Sequence, residues 1–148
     1  MTTRTMKHAR SKKHESGCLV AHAVDLLGDR WTLLLLRDMM LYGKQTYGEF
    51  LAAGEGIATN VLAERLQHLE AAGIVTRTRD PDNRRSNLYR LTEKGLGLAP
   101  ALLEIIRWSG GQRRLTAARR KLIDRIEHDR DGLLAEIRAR CQSGVTGK

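Results

Sequence analysis

Cysteine is scarce in this chain of 148 residues: there are two, Cys18 and Cys141. Two thiols cannot build a disulfide framework, which points to a reduced, cytoplasmic setting. Long apolar runs are missing as well. The longest purely aliphatic run is Leu33–Leu36, far short of the roughly 18 residues a membrane-crossing helix needs. The first sixteen residues are basic, but no apolar stretch of signal-peptide type follows them, so neither export nor a membrane partner is expected. There is no Gly-rich phosphate loop, no paired-carboxylate motif and no internal repeat. No enzyme class finds its signature here, and neither a cofactor nor a metal site is expected.

Acidic residues are outnumbered, 17 against 26 Lys+Arg, which leaves a net charge of +9. The excess sits at the two ends. Residues 1–16 carry +4, residues 107–148 carry +6, and the middle carries −1. An acid-rich partner is implied, nucleic acid first. Hydrophobic residues make up 41%, enough for a packed core in one domain of this length.

Residues 1–16 read as a flexible basic arm, or as a solvated tail with no partner. A short helix follows from Cys18 and stops at Gly28. Asp29 caps a second helix over Arg30–Leu41, apolar on so many sides that it must be surrounded. Thr46 with Glu49 forms a capping box for a short helix over Tyr47–Ala53. After the turn Gly54-Glu55-Gly56-Ile57, a helix over Thr59–Ala72 buries Leu62, Leu66 and Leu69 and turns Asn60, Glu64 and Gln67 the other way. Two strands, Ile74–Arg79 and Leu88–Leu91, flank a loop with turn chemistry and two arginines near its tip. Thr92 caps a helix running to Trp108 that Pro100 should kink or split. Gly110-Gly111 is a hinge. A final helix over about 117–141, weak at Gly132, carries the heptad-like line Leu122, Ile126, Leu133, Ile137.

This order predicts a mainly α chain with a small β-ribbon: a winged helix-turn-helix domain over 17–108 with extra N- and C-terminal helices. The segment 109–148 is expected to serve dimerisation, with the Leu122–Ile137 line buried at a subunit contact or on the helix before it.

The segment Gly28-Asp29-Arg30-Trp31-Thr32-Leu33-Leu34-Leu35-Leu36-Arg37-Asp38, with Tyr47-Gly48-Glu49-Phe50, resembles the HxlR-type winged-helix transcriptional regulators of bacteria. So do Gly56-Ile57, Val61-Leu62-Ala63-Glu64-Arg65-Leu66 and Leu69-Glu70-Ala71-Ala72-Gly73-Ile74-Val75, and the cysteine before the first helix, Cys18. The likeness covers roughly residues 18–108. The loop Asp80-Pro81-Asp82-Asn83-Arg84-Arg85, through Leu91-Thr92-Glu93-Lys94-Gly95, is similar to the wing of MarR-type regulators, which share the architecture. Where the family opens its recognition helix with a serine cap and a proline, this chain has Ala58 and Thr59, so Thr59 is expected to cap one residue later.

The resemblance implies a homodimeric, sequence-specific reader of double-stranded DNA, a repressor, with no enzymatic activity. On the recognition helix Thr59, Asn60, Glu64 and Gln67 face the major groove; Asn60 suits adenine and Glu64 a cytosine amine. Arg84 and Arg85 suit a narrow minor groove, unless Asp80 and Asp82 neutralise them locally. Thr46 and Tyr47 are placed to meet phosphate at a helix N-terminus. Relatives of this type sense oxidants or electrophiles at the cysteine matching Cys18, which makes it a candidate redox sensor; a small buried residue at a dimer seam is the other reading. Against the whole stands a different class, a winged-helix protein-interaction module or a non-specific architectural binder, favoured by the near-neutral middle.

Overall fold

The computed structural model describes residues 17–142, so the basic arm expected over 1–16 lies outside the described residues. The first helix, α1 (Leu19–Leu27), starts after Cys18, ends at Gly28 and buries none of its residues. The Asp29 carboxylate then accepts the backbone N–H groups of Trp31 at 2.8 Å and Thr32 at 2.9 Å, and the Thr32 hydroxyl. This cap starts α2 (Thr32–Tyr42) two residues later than expected. Leu35, Leu36, Met39 and Met40 of α2 are all buried, and the rest of the chain packs around them.

The short helix α3 (Tyr47–Leu51) has the expected capping box between Thr46 and Glu49. Gly54 (φ +81°) and Gly56 (φ +77°) make the turn that follows, in a backbone region that side chains with a Cβ avoid. α4 (Thr59–Ala71) buries Leu62, Leu66 and Leu69 as its spacing predicts. The strands β1 (Val75–Arg79) and β2 (Asn87–Leu91) pair antiparallel, with Val75 opposite Leu91 and Arg79 opposite Asn87. A bridge between Thr46 and Leu88, with the Tyr89 N–H donating to the Gln45 carbonyl at 2.8 Å, ties this ribbon to the segment before α3.

The helix expected from Thr92 to Trp108 is split. α5 (Glu93–Leu96) is capped by Thr92, and α6 (Ala99–Gly110) begins beyond Gly97-Leu98 with Pro100 in its first turn. There the missing N–H of proline costs nothing.

The last helix is also two: α7 (Ala117–His128), capped by Thr116, and α8 (Arg130–Gln142). The break falls at Asp129, where φ is −144° and ψ 48°, rather than at Gly132. It lets α8 pack on α2. There Arg140 donates to the Met40 carbonyl at 2.7 Å, and Arg138 pairs with Glu93 at 2.7 Å. As a result Ile126, Leu133 and Ile137 are at most 4% exposed within a single chain, and Leu122 packs against the same core. The heptad-like line is therefore internal, and any subunit contact made by this segment has to use its other faces. The architecture is a winged helix-turn-helix with added helices at both ends. Among the described residues no helix is long and apolar enough to cross a membrane.

Candidate nucleic-acid interface

α4 presents Thr59, Asn60, Glu64 and Gln67 to solvent, opposite its buried leucines, and Ala63 joins them on the same exposed stripe. Its N-terminus is held from α3, where the Tyr47 hydroxyl donates to the Thr59 carbonyl at 2.7 Å. Thr59 is not the cap. Ala58 occupies the capping position in extended conformation, no side chain satisfies the first turn, and Thr59 is already helical. The free N–H groups of that turn stay open to an acceptor from outside.

Thr46 and Tyr47 have internal partners instead of exposed ones. The Thr46 hydroxyl accepts from the Glu49 N–H at 3.2 Å and donates to the Glu49 carboxylate at 3.0 Å. A carboxylate thus already occupies that helix start, which disfavours phosphate there. Both residues position α4 and the ribbon. Glu64 meets Arg65 at 2.8 Å, and Arg65 also reaches Asp29 at 3.4 Å, so the negative charge on the exposed stripe is partly countered.

A groove of about 650 Å³ runs between α4 and the ribbon, lined by Tyr47, Ala63, Gln67, Glu70, Arg77 and Tyr89. Gln67 thus belongs to both the stripe and the groove. Arg77 lies 3.5 Å from Glu70. Burial pushes the Tyr89 hydroxyl above its usual range, against the pull of Arg77. Phe50 supports Tyr89 from below in an edge-to-face contact, ring centroids 6.3 Å apart. Glu70 and Tyr89 were not visible as site residues in the sequence, because only the folded ribbon brings them beside α4.

At the ribbon tip the Asp80 carboxylate accepts the Asp82 N–H at 2.9 Å, the Asp80 N–H donates to the Ser86 carbonyl at 2.9 Å, and Asn83 accepts the Arg85 N–H at 3.2 Å. The loop is shaped by these bonds and presents Arg84 and Arg85 to solvent. Among the described residues neither arginine is ion-paired with Asp80 or Asp82. The Asp80 hydrogen bonds shape the turn instead of forming contact ion pairs with these arginines.

Cys18 is exposed at the capping position of α1. It borders a cleft of about 580 Å³ together with His22 and Asp25 of its own helix, His68 from α4 and Lys94 from α5. Lys94 donates to the Ala72 carbonyl at 2.8 Å, closing the end of α4. Cys18, His22 and Asp25 stand four and three residues apart on one face, whereas His68 and Lys94 arrive only through tertiary folding. Cys141, by contrast, is buried with its Sγ 3.7 Å from the Met39 carbonyl, and burial pushes its thiol up. No group of three or more His, Cys, Asp or Glu placed to hold a metal ion occurs among the described residues.

A family model described as HxlR-like helix-turn-helix matches residues 26–117. The regulator YvaP of Bacillus subtilis, an uncharacterised helix-turn-helix-type transcriptional regulator, is 41% identical over 87 residues, which are 59% of this chain and 80% of YvaP. A crystal structure of PA1607, a transcription factor by its description, superposes with a TM-score of 0.61 at 34% identity, covering 70% of each chain. The oxidised form of the redox regulator HypR superposes with a TM-score of 0.58 at 31% identity, covering 66% of this chain and 100% of HypR.

Proposed function

The chain belongs to the HxlR-like helix-turn-helix family and is a DNA-binding transcriptional regulator of that type; we propose that it acts as a homodimeric, sequence-specific repressor whose affinity is set by the redox state of Cys18. The observation that carries the DNA reading is the exposed polar stripe of α4 beside a ribbon tip whose arginines have no carboxylate partner among the described residues. Asn60 and Gln67 carry the bidentate amides that suit adenine, and Glu64 accepts from a cytosine amine. Thr59, next to the open first turn of α4, meets phosphate. Arg84 and Arg85 enter the flanking minor groove, where narrow A·T tracts concentrate negative potential.

Dimerisation supplies the second recognition helix. Leu19, Val20 and Val24 are 85%, 72% and 57% exposed on α1, an apolar face that a single chain leaves to solvent and that suits an isologous contact. Cys18 stands at the end of this face. Because Cys141 is buried, an oxidised Cys18 pairs with a second Cys18 across the dimer or with a small thiol, and either event acts on the α1 seam.

The test of the DNA reading is selection of bound fragments from a random pool. A two-fold motif with half-sites about 34–36 Å apart is the expected result. Binding without enrichment would assign the chain to the architectural class, and no binding to the interaction module. For the redox reading, mild oxidation should change operator affinity in the parent and leave Cys18→Ser unchanged.

A further inference from the structure

Residues 105–123 form the longest stretch of the chain without an acidic residue, and they hold six basic ones: Arg107, Arg113, Arg114, Arg119, Arg120 and Lys121. Two of these are occupied. Arg107 pairs with Glu104 at 3.1 Å, and Arg120 donates to the Leu115 carbonyl at 3.2 Å. Arg113, Arg114, Arg119 and Lys121 are exposed and meet no carboxylate among the described residues. Other arginines of the added helices differ: Arg125 is held by Asp129 and Glu136, and Arg138 by Glu93.

The folded chain alone gains nothing from this placement. Arg119 stands in the first turn of α7, which has no acidic residue, and Lys121 follows just beyond it. A helix start disfavours cations, and neighbouring like charges repel. Among the described residues no carboxylate offsets that cost, and an anion from outside would. The patch also joins the helix-turn-helix. Arg113, Arg114 and Arg119 border the same depression as Arg37 and Tyr42 of α2. The Arg37 guanidinium stands 5.9 Å from the centre of the Tyr42 ring, and the Lys44 Nζ 5.7 Å from it. Arg37 pairs with Glu55 at 3.0 Å in the turn that leads into α4, and Lys44 lies in the segment that leads into α3. A basic strip thus runs from α7 to the two segments that carry α3 and α4.

We propose that Arg113, Arg114, Arg119 and Lys121 make a second DNA contact, to the phosphate backbone and indifferent to sequence, outside the helix-turn-helix itself. The contact rests on the DNA reading and adds to it a surface beyond α4 and the ribbon. An acidic protein segment would also satisfy the charges, but a duplex lying on α4 accounts for a strip that continues to the turns beside that helix. Backbone phosphates are met by exposed cations without a pocket. Each such contact releases counterions, so it is read directly in the salt dependence of binding.

The experiment measures binding of the full-length protein, across salt concentrations, to a duplex recovered from the random pool and to a scrambled duplex of the same length. Arg114→Gln/Arg119→Gln should weaken both by the same factor, about tenfold, and lower the salt slope by about two. Arg113→Gln/Lys121→Gln, which shares no residue with the first pair, should do the same. Both variants should melt at or above the temperature of the parent, since no internal partner is lost. The control Arg125→Gln/Arg138→Gln removes as much charge from arginines already held by carboxylates, and should leave the slope unchanged. An unchanged slope in the two test variants would overturn the proposal while leaving the DNA reading intact; a parent that binds neither duplex would overturn both. An equal loss in the control would show an effect of net charge alone, and weaker binding with a lower melting temperature would show a structural role; either overturns the contact. So would loss of poly-glutamate binding in variants that hold both duplexes as the parent does, which would assign the patch to an acidic protein.

Discussion

Asp29 shows how one side chain joins local and distant structure. Burial alone would raise its carboxyl, but the hydrogen bonds from Thr32 and from the Trp31 and Thr32 backbone, with Arg65 nearby, outweigh that and hold it below the usual carboxylate range. A carboxyl with a folded value below its unfolded one gives stability that is complete above the unfolded value and lost as the pH falls through the folded one. Asp29→Ala should therefore cost about 0.5–2 kcal/mol near neutral pH. The gap to the parent should close as the pH drops below about 4, the unfolded carboxyl range. Urea unfolding at several pH values checks both statements. The cap was legible in the sequence, an aspartate between a glycine and an apolar run; the Arg65 contact was not, since nothing local ties α4 to the start of α2. Gly95 was equally silent. A Cβ there would lie 2.3 Å from the Ile74 carbonyl oxygen, so Gly95→Ala should destabilise by about 1–3 kcal/mol, read as a lower midpoint in the same unfolding measurement.

At the scale of the element, the periodicity of α4 placed its buried and exposed faces correctly because a helix that packs on one side must repeat its apolar residues every three to four positions. In the last segment the same rule found the buried line but not the break in the helix. Leu122, Ile126, Leu133 and Ile137 keep a heptad-like spacing, but the chain breaks at Asp129 between the second and third of them. Spacing records that a residue is buried, and it is blind to what buries it. The split at Gly97-Leu98 was foreseeable from Pro100; the break at Asp129, lacking proline or glycine at the turn itself, was not. For the recognition helix and wing, function separates the two elements. Gln67→Ala should relax sequence preference at one or two positions of the selected site, at a cost of about 1–3 kcal/mol. Arg84→Ala or Arg85→Ala should instead leave the preference at the α4 positions unchanged, weaken binding most where A·T tracts flank the site, and lower the salt slope by about one each. Titrations at several salt concentrations on matched and scrambled fragments distinguish the two patterns.

The whole molecule separates what folds a chain from what joins two. α8 closes over α2, and Ile137 at 1% exposure is part of the same core as Leu36 and Met40. α1 leaves Val24 at 57% exposure, although Leu26 and Leu27 of the same helix pack against the core. A carboxylate introduced at these two places has different consequences. At Ile137 it loses apolar burial and is left without a partner in the core, which costs several kcal/mol, a large part of the 5–15 kcal/mol that holds a domain of this kind together. At Val24 it meets water in the monomer and is buried only where a second α1 covers it. Ile137→Asp should therefore unfold the chain or lower its melting temperature steeply at every protein concentration. Val24→Asp should keep the far-ultraviolet spectrum of the parent, sediment as a monomer, and lose the two-site DNA affinity that symmetry provides. Sedimentation and circular dichroism on the two variants decide the matter: a folded, dimeric Val24→Asp would remove α1 from the seam, and a folded Ile137→Asp that merely dissociates would return α8 to it.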